Sequence, residues 1–206
     1  MRILIQNSLF FLFLFGFFIS NASLSLDTVR IKYLPQFEAI KYRAMIDVLG
    51  KHLSGILIIK NIDNKTNRCV FLNEMGITFF DLSLEENQYH YENIMSSLNK
   101  KGVKISLAKN LGMILMNGIY KSIISEENTN TETTLKLKLK RKGYVEYKIE
   151  KQLNQIPTII NKNQKGKKFI SIYQFYNSTY TMPDSIFVDH HQVNFKISLK
   201  QIYATE

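Results

Sequence analysis

Residues 134–140 read Thr-Leu-Lys-Leu-Lys-Leu-Lys. Leu135, Leu137 and Leu139 fall on one side of an extended chain, and Lys136, Lys138 and Lys140 on the other. Side chains alternate in this way only along a β-strand. The segment therefore folds as a strand with one dry face and one wet face. The same period of two recurs along the chain. It places Ile40, Tyr42, Ala44, Ile46 and Val48 on one face, and Val193, Phe195, Ile197 and Leu199 on another. A chain written this way folds around sheet, and the remaining question is how the strands connect.

The connections are short. Segments 40–48, 53–60, 68–74, 77–84 and 88–94 read as five strands. They are joined by Gly50-Lys51, by the polar stretch 61–67, by Met75-Gly76 and by 85–87. Parallel neighbours need crossovers of a dozen residues or more, so these strands form an antiparallel meander. From Ser96 to Met116 the period changes. Leu107, Leu111, Ile114 and Leu115 follow helical spacing, and Gly118 is placed to close the helix. Residues 125–134 contain no apolar side chain and read as an exposed loop. Strands resume at 134–140, 144–150, 152–160, 168–176, 184–189 and 192–202. Pro157 marks an edge or a bulge. The expectation is 10–11 strands in two groups around one central helix.

The first 22 residues have a different character. Arg2 precedes a Phe/Leu run that ends in Ser20-Asn21-Ala22, which is the layout of a cleavable signal peptide. The apolar run is short for a bilayer span of about 20 residues, and an uncleaved anchor is the alternative reading. One exported domain is expected over 23–206. Cys69 is the single cysteine, so no internal disulfide forms and no cysteine near the cleavage point takes a lipid. The formal charge of +10 is dispersed over strand faces and tips such as 162–168. In an exported chain that balance argues against a nucleic-acid partner and leaves solvated faces or anionic head groups.

Candidate chemistry is sparse. Asp189-His190-His191 lies between two alternating apolar runs, where a hairpin turn is expected. Adjacent histidines on a strand point to opposite faces and do not share a metal. Ser97–Lys100 and Ser106–Lys109 each match S-x-x-K, but no K-T-G or S-D-N follows, so they read as helix-surface residues. No nucleophile elbow, phosphate loop or zinc-binding helix is present. The chain therefore reads as a protein without catalytic residues, metal or cofactor. It does carry an apolar surplus in Phe71, Phe79, Phe80, Phe169, Tyr173, Phe175 and Phe195. One helix does not cover the inner faces of ten strands, which leaves either a packed core or an open apolar cavity.

Two segments carry a resemblance. NEMGITFFDLSLEEN (73–87) is similar to the part of LolB-type receptors where a Pro-Leu-Gly turn precedes a strand. MPDSIFVDHHQVNFKISLKQI (182–202) resembles the closing Pro-x-x-Ile strand, turn and last strand of the LolA/LolB-type lipoprotein carriers. In layout the resemblance covers roughly residues 37–202. It implies a mainly β, α+β fold: an unclosed antiparallel barrel with a helical lid over an acyl-binding cavity. It also implies that Asp189 to His191 form the last hairpin tip and that Met75 enters a membrane. Glu74 stands where that group has proline, and the anchoring cysteine of the LolB-type receptors is missing, which brings this chain nearer the soluble carrier. The expected cavity wall is Ile46, Val48, Leu57, Ile59, Phe80 and Leu82, with Leu111 and Leu115 on the lid. The expected role is a monomeric periplasmic carrier of lipid or lipoprotein acyl chains that works with envelope transport partners and touches the membrane peripherally. The rival is an envelope adaptor with a filled core that binds another protein.

Overall fold

The computed structural model describes residues 25–34, 37–63, 65–86, 88–177 and 182–203. The expected leader, 1–22, lies outside the described residues. Helix α1 (Leu26–Tyr33) comes first. Five strands follow: β1 (Ala39–Val48), β2 (Lys51–Asn61), β3 (Asn67–Leu72), β4 (Thr78–Leu84) and β5 (Tyr89–Ile94). A 3₁₀ turn at Ser96–Leu98 leads into α2 (Lys101–Ile114). The second group is β6 (Tyr120–Asn128), β7 (Glu132–Leu139), β8 (Tyr144–Glu150), β9 (Gln155–Lys162), β10 (Lys168–Phe175), β11 (Ser185–His190) and β12 (Phe195–Gln201).

All twelve strands form one antiparallel sheet in the order β5-β4-β3-β2-β1-β12-β11-β10-β9-β8-β7-β6. The first and last strands of the chain's sheet pair with each other, with Val48 opposite Phe195 and Ala44 opposite Leu199. Among the described residues the unpaired edges are therefore β5 and β6, the two strands that flank α2 in sequence. Tyr91 Oη of β5 donates to the Lys104 carbonyl at 2.9 Å, and Tyr147 Oη of β8 donates to the Met113 carbonyl at 2.7 Å. In a flat sheet β5 and β8 would stand roughly 40 Å apart at about 4.8 Å per strand. Since one helix touches both, the sheet is curled around α2 as an unclosed barrel.

The alternation read from the sequence is the burial pattern observed, except at Val193, which lies in the β11–β12 turn before β12 begins and is 58% exposed. Ile40, Tyr42, Ala44, Ile46 and Val48 of β1 face inward, as do Leu135, Leu137 and Leu139 of β7. Leu107, Leu111 and Ile114 of α2, and Leu115 at its C-cap, join them in one continuous core. Cys69 is fully buried there, and burial pushes its thiol well above its ordinary range.

Several expectations need correction. The polar stretch 125–134 is not a loop. It forms the end of β6, a tight turn and the start of β7, with Thr133 buried. Helix α1 was not anticipated. Ser25 caps it by accepting from the Thr28 amide at 3.1 Å, and Val29 and Tyr33 enter the core. Gly118 does not close α2. Met116 takes the left-handed position at φ 49°, with the Asn117 amide donating to the Gly112 carbonyl at 2.9 Å. Gly118 is needed for close approach instead, because a Cβ there would stand 3.2 Å from the Glu85 carbonyl oxygen. Residues 151–154 form a turn, so β9 starts at Gln155, and Pro157 lies beside a register shift opposite Lys148 and Glu150. Tyr173 and Phe175 do not belong to the inner face. They point outward, 46% and 57% exposed.

Candidate functional site

The seam between β5 and β6 is where the barrel fails to close, and a cavity of about 350 Å³ opens there. Gln88 and Tyr89 at the start of β5 form one wall. Gly118, Ile119 and the β7–β8 tip, Leu139 to Arg141, form the other. Ile105 and Lys109 of α2 line it from within. A second recess of about 310 Å³ shares Tyr89, Ile105 and Arg141 and adds Asn99, Lys101 and Lys104. Volumes of this size lie within the usual range of small-molecule sites, roughly 300–1,000 Å³.

The eight residues expected to form a cavity wall all face the interior. Ile46, Val48, Leu57, Ile59, Phe80, Leu82, Leu111 and Leu115 are each buried in the one core. None of them lines the seam cavity, whose wall is built from the start of β5, α2, the β7–β8 tip and the short segment before β6. The curl gathers the eight into the one buried core.

Beneath α2 lies a polar cluster that sequence reading missed. Lys109 Nζ donates to Asn161 Oδ1 of β9 at 2.6 Å. Asn161 Nδ2 donates in turn to the Tyr144 carbonyl at 2.9 Å. His190 Nε2 donates to Asn110 Oδ1 at 3.1 Å, and its ring stacks on Phe195 with centroids 4.7 Å apart. Asn110 Nδ2 is buried without a hydrogen-bond partner. Burial pushes the Lys109 ammonium down to about 8. Burial and, next, the positive Lys109 push His190 down to about 4.

These contacts correct two expectations. Lys109 is not an ordinary helix-surface residue of an S-x-x-K pair. It is half-buried and bound across to β9. Asp189 and His190 are not the hairpin tip either; they end β11, and the turn starts at His191. His191 pairs with Ser171 at 2.8 Å on the other face of the sheet. Its separation from His190 across the strand follows from side-chain alternation. Among the described residues, no cluster of His, Cys, Asp and Glu could hold a metal.

Met75 lies on the β3–β4 turn and is 81% exposed. Asn73 Oδ1 accepts from the Met75 and Ile77 amides at 3.0 and 2.8 Å, and Gly76 takes φ 81°. Neighbouring tips on the same rim carry Leu49, between β1 and β2, and Val193, between β11 and β12. These are 48% and 58% exposed, and Ile77 beside Met75 is 51% exposed.

No family model matches this sequence, and no curated protein is similar to it in sequence. Solved structures do share the fold. A domain ascribed to outer membrane lipoprotein sorting, from Vibrio parahaemolyticus, superposes with a TM-score of 0.55 at 6% identity, over 86% of this chain and 89% of its own. A DUF1329 family protein from Desulfovibrio piger gives 0.53 at 10% identity, over 86% and 88%. A LolA superfamily protein from Nitrosomonas europaea gives 0.52 at 9% identity, over 86% and 90%. The fold of this chain is LolA-like: an unclosed antiparallel barrel with a helical lid.

Proposed function

We propose that this protein is an exported, periplasmic carrier that holds the acyl chains of lipids or lipoproteins inside its curled sheet. The observation that carries this reading is the seam: two unpaired edges, a lid helix between them and an apolar-walled cavity of about 350 Å³. In this reading Ile46, Val48, Leu57, Ile59, Phe80, Leu82, Leu111 and Leu115 separate when the lid shifts, and an acyl chain takes their place against one another. Each methylene buried contributes roughly 0.8 kcal/mol. The exposed apolar tips Leu49, Met75, Ile77 and Val193 support peripheral membrane contact at one rim. The lipoprotein-sorting role ascribed to the Vibrio domain of similar fold supports the same assignment, and the role needs no catalytic residue.

Native mass spectrometry of the exported, gently purified protein tests this. A reproducible mass excess that dissociates as a phospholipid or acylated peptide is the expected result. A clean mass after incubation with both kinds of cargo overturns it. One observation favours the adaptor reading instead. Tyr173, Phe175 and Phe187 form an exposed aromatic patch on the outer face of β10 and β11, with Phe175 and Phe187 ring centroids 5.9 Å apart. A clean mass together with loss of a protein partner in a Phe187→Ser variant would support that second role.

A further inference from the structure

The charge around the seam is lopsided. The two adjoining recesses are lined by Lys101, Lys104, Lys109, Lys140 and Arg141, and by no carboxylate among the described residues. Two acids stand beside the seam: Glu85 Oε2 accepts from Gln88 Nε2 of the cavity wall at 2.7 Å, and Glu86 directs its carboxylate to Lys65 at 3.8 Å while its carbonyl oxygen meets Lys140 Nζ at 3.4 Å. Lys109 has a neutral partner, Asn161, at the inner end of the cavity. Ordinarily a lysine this enclosed has a carboxylate beside it, because an unpaired buried charge is costly. An arrangement of this kind matches an anion that arrives from outside. The wall next to these cations is apolar, formed by Ile105, Ile119 and Leu139. The recess thus offers cations at its mouth and along α2, with hydrocarbon between them.

Resting on the carrier reading above, we infer that the seam recess binds the phosphate headgroup of an anionic lipid, with Lys109 and Arg141 as its principal contacts. The acyl chain then runs past Ile105, Ile119 and Leu139 toward the core. Arg141 suits a phosphate through its planar fork of donors, and the lysines act as point charges around it. Lys104 and Lys101, about one and a half and two turns earlier on α2, extend the positive field along the outer recess. The cargo class is therefore narrower than acyl chains in general: amphiphiles with an anionic phosphate are preferred over neutral ones of equal chain length.

The test compares palmitoyl lysophosphatidate with monopalmitoylglycerol, which has the same chain and no phosphate. Full-length protein, its Lys109→Gln and Arg141→Gln variants, and the double variant are titrated at about 0.15 M salt, where exposed charges are screened beyond about 8 Å. Arg141 is exposed in a turn, so its variant keeps the test alive even if Lys109→Gln disturbs the lid. The unaltered protein should bind the phosphate lipid about tenfold tighter or more, as a charge-assisted contact allows. That ratio should fall in each single variant and approach one in the double variant. Equal binding of both lipids by the unaltered protein overturns the headgroup site and leaves the carrier standing. A preference that survives both substitutions also overturns it. Binding of neither lipid removes the carrier reading and this inference with it. Displacement by inorganic phosphate alone at the same concentration as the lipid marks a free-anion site and overturns the lipid assignment.

Discussion

Met75 is 81% exposed, and its turn is held by Asn73 and Gly76 rather than by the methionine itself. Met75→Glu should leave the urea midpoint nearly unchanged, since such surface substitutions stay within about ±0.5 kcal/mol. It should reduce flotation of the protein with lipid vesicles, and unaltered flotation would end its membrane role. His190 behaves differently. Its native titration lies near 4 against an ordinary 6.5, so the unfolded chain takes up the proton first as pH falls. Stability from this residue is complete above about pH 6.5 and declines through about pH 4. After allowance for its partial exposure, the loss is about 1–2 kcal/mol. His190→Gln should flatten that part of a urea-midpoint curve measured from about pH 7 to about pH 4.5. The role of this residue was hidden in the sequence. Asp189-His190-His191 looks like a turn because two alternating runs flank it. The partners of Lys109 and Asn110 are 52 and 80 residues away, and only the curl of the sheet brings them beneath α2.

At the scale of elements, strands with one dry face were easy to read and those without one were not. Segment 134–140 announces itself because leucine and lysine alternate strictly. β6 does not, since it is an edge strand whose side chains are mostly solvated or half-covered. Its Glu126 accepts from Tyr33 Oη at 2.8 Å and Lys32 Nζ at 3.0 Å, which ties α1 across it. A ten-residue window without apolar side chains gave no sign of these contacts. The available sign of α1 was Ser25 followed by Asp27, a helix start signal before only eight helical residues. β2 offers a sharper test. A Cβ on Gly55 would stand 2.0 Å from the Leu72 carbonyl oxygen and 2.9 Å from Asn73 Cα. Both obstacles are backbone, so the end of β3 must shift. Gly55→Ala should destabilise the protein by about 1–3 kcal/mol or more, read as a lower urea midpoint. An unchanged midpoint would mean that β3 ends less tightly against β2 than described.

For the whole molecule, the layout of two strand groups and one helix was legible, because short links dictate antiparallel neighbours. The seam was not. Which edges stay unpaired depends on β1 finding β12, a pairing between opposite ends of the described chain. Amide hydrogen exchange should show this division. Interior strands such as β1 and β12 should exchange through global unfolding, and β5 and β6 through smaller local openings. Added lipid should increase protection in α2 and in the segments around Tyr89 and Ile119. Uniform protection across all strands, unchanged by lipid, would speak against a lid that moves.

A closed barrel has its radius set by strand number and stagger. In this protein the ring is cut, and the cut is bridged by a helix rather than by ladder hydrogen bonds. In the carrier role proposed above, its bore would widen or narrow as α2 slides in the gap, with every strand pair intact. Like a split ring that grips shafts of different diameters, one such shell would accommodate one chain or several without refolding.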